Sequence, residues 1–186
     1  MNENEFRDKQ KEWDEKYLDK KISRWKQLTP ASYNVTLPNL AWYYITEADD
    51  MYIAGYFLGV ILLCSGIAEL TLADQITAKG KITSKEIQRF NFEHLIIIGH
   101  RLGILDDTEA NHLNDLRKIR NNIIHAKVGE LTKLARKQYS VLGLGIDDDD
   151  PGLYLKPIFG HGADEDALRN LTLIKNLTVK FYGAEP

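Results

Sequence analysis

The chain has 186 residues, 44% of them hydrophobic and 27% charged, with a formal net charge of −3. This suits one domain of ordinary size with an added arm, able to fill a core, and excludes two full domains. Five prolines argue against a sandwich of many short strands, and the net charge supplies no overall basic field for nucleic acid.

The first residues, MNENEFRDKQKEWDEK, are strongly polar, so no signal peptide is expected there. Over residues 5 to 28, Phe6, Trp13, Tyr17, Leu18, Ile22, Trp25 and Leu28 recur at near-helical spacing among charges. This predicts an amphipathic helix docking its aromatic stripe, either on the core or in a partner or dimer contact. Thr29-Pro30 and Pro38 then mark a loop-like stretch.

Thr46 and Asp49 resemble a capping box opening the longest apolar helix, at about 47 to 78. Gly55, Gly59 and Gly66 fall on one face of it and predict close approach of a second helix backbone, within the monomer or from a partner. Its stretch Ile53 to Ala68 has 16 residues without a charge, against the roughly 20 that a bilayer span needs. Asp49, Asp50, Glu69 and Asp74 flank it, so a buried core helix is expected rather than a membrane partner. Cys64 lies in this run and, as the lone cysteine, forms no internal disulfide. It reads as a small buried hydrophobe in a reducing, cytoplasmic setting.

Thr83-Ser84-Lys85-Glu86 is a clearer capping box, for a helix running to Gly103. Asp106 or Asp107 caps the next one, which carries Leu113, Leu116, Ile119 and Ile123 at helical spacing. A shorter basic helix is expected to about Ser140, then an irregular excursion containing Asp147 to Asp150, then a final helix at about 164 to 182. The excursion reads as a solvated turn, because four adjacent aspartates lack the alternating ligand spacing of a calcium loop. An acidic lid over a basic groove is the sharper reading of the same residues. The organisation is therefore all-α: residues 1 to 40 an amino-terminal helix and linker, 41 to 140 a helical bundle, 141 to 186 the excursion and closing helix of the same domain.

The histidines make no metal site: no two of His94, His100, His112, His125 and His161 stand at the three- or four-residue spacing that faces a metal. No phosphate-binding glycine loop and no nucleophile elbow occurs, so no metal and no cofactor is expected. Chemistry is concentrated instead between Arg117 and Lys137. Arg117, Lys118, Arg120, Lys127, Lys133, Arg136 and Lys137 stand there against Glu130 alone, a local charge of +6 around His125. That is either a solvated basic face or an electrostatic footprint for a phosphate backbone.

The string DLRKIRNNIIHA, with an arginine, a polar residue, three others and a histidine, resembles the hallmark of the HEPN superfamily (higher eukaryotes and prokaryotes nucleotide-binding). The preceding FNFEHLIIIGHRLGILDDTEANHL is similar to the branch containing the mannitol operon repressor family. The resemblance covers about residues 47 to 128. It implies a HEPN-like helical bundle, here with an added amino-terminal and a carboxy-terminal helix. For active members it implies a metal-independent endoribonuclease, in a toxin or antiphage role, in which the ribose 2′-hydroxyl attacks the neighbouring phosphate. His125 would then move the proton and Arg120 would stabilise charge on the phosphorane, with Asn121 orienting one or the other. Glu69 stands where many such domains carry an acidic residue. The resemblance further implies a homodimer whose two motif helices build one groove, RNA as substrate, and an antitoxin or regulatory protein as a further partner. The resemblance to that branch equally implies a non-catalytic interaction module or regulator, in which Arg120, Asn121 and His125 would be a structural cluster.

Helical geometry constrains either case. Asn121 and His125 lie about 40° apart around a straight helix, but Arg120 and His125 lie about 140° apart. A shared site requires a long reach by the arginine, a distorted helix, or a second subunit.

Overall fold

The computed structural model describes residues 3–28, 39–80, 82–125 and 163–183. Among the described residues seven helices form an all-α bundle and no strand occurs. In chain order they are α1 (Glu3–Gln27), α2 (Asn39–Ala54), α3 (Phe57–Ala78), α4 (Ser84–Ile87), α5 (Phe92–Arg101), α6 (Asp107–His125) and α7 (Ala163–Tyr182). The linker around Pro30, the basic segment after His125 and the excursion containing Asp147 to Asp150 lie outside the described residues.

The chain is built around α3, which packs against α2, α4, α5, α6 and α7. A helix met from so many directions must be apolar around most of its girth. Phe57, Val60, Ile61, Cys64, Ile67, Ala68, Leu72 and Ile76 are accordingly buried. By length and composition α3 could cross a membrane, yet half of its apolar window is inside the bundle. Its place in the core accounts for its composition. Burial also pushes the Cys64 thiol pKa up, so it is a core hydrophobe rather than a nucleophile.

The apolar run expected as one helix over 47 to 78 is two. Thr46 lies inside α2 instead of capping a helix, and the chain breaks at Gly55 and Tyr56 before α3 begins. Arg24 of α1 explains the break. Its Nη1 donates to the Ile53 carbonyl at 3.2 Å, and its guanidinium lies 4.9 Å from the Phe57 ring centre. One side chain thus satisfies an orphan carbonyl at the end of α2 and stacks on the first residue of α3. Gly55 adopts φ +88°, and a Cβ there would sit 2.7 Å from Arg24 Nη1. The expected three-glycine face is therefore corrected. Gly55 forms the elbow, Gly59 makes room for the Met51 sulfur of α2, and Gly66 borders open space.

The segment from Thr83 to Gly103 is likewise two helices. Thr83 and Glu86 form the expected capping box, but α4 ends after one turn and Asn91 caps α5 anew by accepting from His94 N–H. Asp106 and Glu109 form a second reciprocal box at the start of α6. Leu113 and Leu116 are buried below it, with Ile119 and Ile123 packed against the core.

Polar ties fix α7 across the bundle. Lys175, 8% exposed, pairs with Asp49 of α2 at 2.6 Å, while Lys180 reaches Glu109 of α6 at 2.6 Å. Tyr182 donates to Asp74 of α3 at 2.7 Å. The docking of α1 is narrower. Tyr17 is buried, Leu28 is partly buried, and Gln27 accepts from Tyr52 Oη at 2.7 Å. The remaining described members of its stripe, Leu18, Ile22 and Trp25, face solvent.

Candidate functional site

The residues singled out by the motif lie on the last two turns of α6, and that helix is continuous from Asp107 through His125. Three apolar positions, Leu116, Ile119 and Ile123, hold one side of it to the core. Arg117 and Arg120 emerge one turn apart, towards α5 and α3. Arg120 Nη2 lies 3.3 Å from Glu69 Oε1, and each side chain is about one-third exposed. Arg117 Nη2 lies 3.4 Å from Glu93 Oε1 of α5. Each arginine thus meets one acidic residue from a different neighbouring helix.

Glu69 Oε1 is a buried atom although its side chain is partly exposed. A carboxylate oxygen held out of water needs a cation beside it, which Arg120 supplies. Glu69 occupies the middle third of α3, the helix with the most packing partners, so its position is set by the core rather than by a loop.

His125 is exposed on the terminal turn of α6 and Asn121, one turn before it, is half-buried. Because α6 runs unbroken to His125, a helix distortion between Arg120 and His125 is not how the two would meet. Arg120 points to Glu69, and about 140° of helix separates it from His125. No hydrogen bond or ion pair joins these two residues among the described ones. Of the routes to a shared site, a second subunit or a reaching arginine remains.

The basic footprint is only partly visible. Lys118 is exposed and pairs with Asp115 at 3.2 Å on its own helix. Lys127, Lys133, Arg136 and Lys137 lie outside the described residues. Within α6, then, Arg117, Lys118 and Arg120 each meet a carboxylate. Glu93 and Asp115 were not singled out in the sequence. The role of Glu93 depends on which helix faces α6, which only the three-dimensional packing gives, whereas Asp115 stands three residues before Lys118 on α6 itself. His100, by contrast, pairs with Asp107 at 2.7 Å across the α5–α6 turn, a local contact away from the motif. Among the described residues no three histidine, cysteine, aspartate or glutamate side chains gather as a metal site would require.

Comparison with family models, with curated proteins and with solved structures finds no match to this chain.

Proposed function

We propose that the chain is a HEPN-like domain acting as a metal-independent endoribonuclease, with His125 as the proton-transferring group and Arg120 as the phosphate-binding cation. The observation that carries this reading is the exposure of His125 on the turn that follows Arg120 and Asn121, where a phosphodiester has access to it. A histidine titrates near neutrality and can take a proton from a ribose 2′-hydroxyl. The freed oxygen attacks the adjacent phosphorus, the bond to the 5′-oxygen breaks, and a proton returns to that oxygen. The products are a cyclic phosphate and a free 5′-hydroxyl. Charge growing on the phosphorane falls to Arg120, whose guanidinium can serve two oxygens. Glu69 fixes its direction from α3. The separation of Arg120 and His125 around α6 favours a groove built from two copies, each lending one residue. A toxin or defence role, with an antitoxin or regulatory partner, belongs to the same proposal.

A second reading is favoured by one specific observation: Arg117 and Arg120 already meet Glu93 and Glu69. Those contacts tie α6 to α5 and α3, and a non-catalytic interaction module or regulator would use them for packing alone. His125 has no such role in view, because it is exposed. Purified protein incubated with RNA in excess chelator separates the two. Catalysis predicts cleavage that falls by about 10²-fold or more in His125→Ala, with no change in melting temperature. Equal cleavage by parent and variant removes His125 from the chemistry, and no cleavage by either leaves the module.

A further inference from the structure

We propose that the outward face of α6 is a track for single-stranded RNA, on which asparagine amides contact base edges and Lys118 holds a phosphate. All four asparagines of α6, Asn111, Asn114, Asn121 and Asn122, lie with Lys118 and His125 inside an arc of about 100°. That arc is opposite the side that Leu113, Leu116, Ile119 and Ile123 turn to the core. Asn111, Lys118, Asn122 and His125 are exposed on it, and Asn114 and Asn121 are half-buried. A face that met only water would not favour this composition. Asparagine is a weaker helix former than lysine, glutamate or alanine, because its short amide competes for the backbone. Asn114 accepts from Arg117 Nε at 3.4 Å. The side chains of Asn111, Asn121 and Asn122 have no hydrogen-bond partner among the described residues. Helix stability is thus given up along one face only, as at sites shaped by a ligand.

The chemistry of the face selects the ligand. An amide sets a donor beside an acceptor, which matches the edge of an unpaired base. From Leu116 to His125, α6 holds Arg117, Lys118 and Arg120 and no carboxylate, so its second half suits a polyanion. Lys118 is 65% exposed, and its partner Asp115, 48% exposed, stands on the same helix. A phosphate can displace so open a contact. In an RNA duplex the base edges lie in a groove that side chains cannot read, so the track takes a single strand. It runs about 21 Å from Asn111 and ends at His125. The track depends on RNA being the ligand, as in the function proposed above, but not on cleavage.

Fluorescence anisotropy with an RNA strand of about 12 nucleotides, 2′-O-methylated so that it cannot be cleaved, tests the track. The full chain should bind this strand about tenfold or more tighter than the duplex of the same sequence. Asn111→Ala with Asn122→Ala should weaken binding about tenfold. Its melting temperature should equal or exceed the parent's, since alanine is the better helix former. Lys118→Ala should lower the salt dependence of binding by about one ion. With cleavable RNA the asparagine changes should act on KM, whereas His125→Ala acts on kcat. A parent that cleaves no RNA but keeps these binding differences would remove the catalytic role of His125 and leave the track. No binding of the single strand, equal binding of strand and duplex, or parental affinity in the Asn111/Asn122 variant would each overturn it.

Discussion

A carboxylate drawn partly out of water beside one ammonium has two opposed forces on it, and Asp49 with Lys175 is such a case. Burial is the larger influence and raises the Asp49 pKa; the Lys175 hydrogen bond and charge oppose it. An acid with a raised folded pKa binds protons more tightly folded than unfolded, so its contribution to stability falls as pH rises. The window runs from the ordinary carboxylate value up to the raised one. Asp49→Asn, which keeps an acceptor for Lys175, should therefore cost under about 1 kcal/mol at neutral pH and gain on the parent through that window. Lys175→Met should cost more, about 2–3 kcal/mol at neutral pH, because it leaves Asp49 desolvated and unpaired. Urea titrations of both variants across the acidic range check the order; a larger loss for Asp49→Asn would reverse the assignment. At Glu69 the pair is more exposed, and Glu69→Gln should lose only about 0.5–1 kcal/mol. If Arg120 serves phosphate, that same change should alter RNA cleavage far more than melting.

At the scale of elements, the caps were legible in the sequence and the elbow was not. Thr83 with Glu86 and Asp106 with Glu109 announce helix starts by chemistry within four residues, which a sequence displays. The Thr83 hydroxyl and N–H hold the Glu86 carboxyl pKa below its ordinary value, so this support is present above that value and fades as pH falls through the lowered one. The α2–α3 break lies within a continuous apolar run, and its partner, Arg24, is 29 positions from the carbonyl it holds. Thr46 with Asp49 gave a false start for the same reason: the pattern was local, but Asp49 is used by Lys175, 126 positions away. The glycines offer a paired test. Gly55→Ala should destabilise by about 1–3 kcal/mol, from the left-handed backbone and displacement of Arg24. Gly66→Ala, helical and facing open space, should stabilise by about 0.5–1 kcal/mol. Thermal denaturation of the two variants should therefore move in opposite directions.

For the whole molecule, one apolar helix organises everything else, and the uncharged run from Ile53 to Ala68 already pointed to a buried central helix. The closing helix fell within a residue of its expected start. The site was legible in part. Arg120, His125 and Glu69 were all named from a resemblance. The contact of Glu69 with Arg120 follows from α3 lying against α6. Asp115 could have been read from its helical spacing to Lys118, whereas Glu93, which tempers the basic face from α5, carries no signal in the linear pattern. The exposed half of the α1 stripe was likewise hidden, because periodicity marks an apolar face without saying which of its residues the monomer covers.

We propose that the exposed His125 on α6 moves protons in RNA cleavage. Mass spectrometry of RNA products formed in excess chelator, by the parent and by His125→Ala at equal concentration, tests it most directly. Cyclic phosphate and 5′-hydroxyl ends are expected from the parent, and about 10²-fold less product from a variant with the same melting temperature. Equal product from both proteins, or ends of another chemistry, would contradict it.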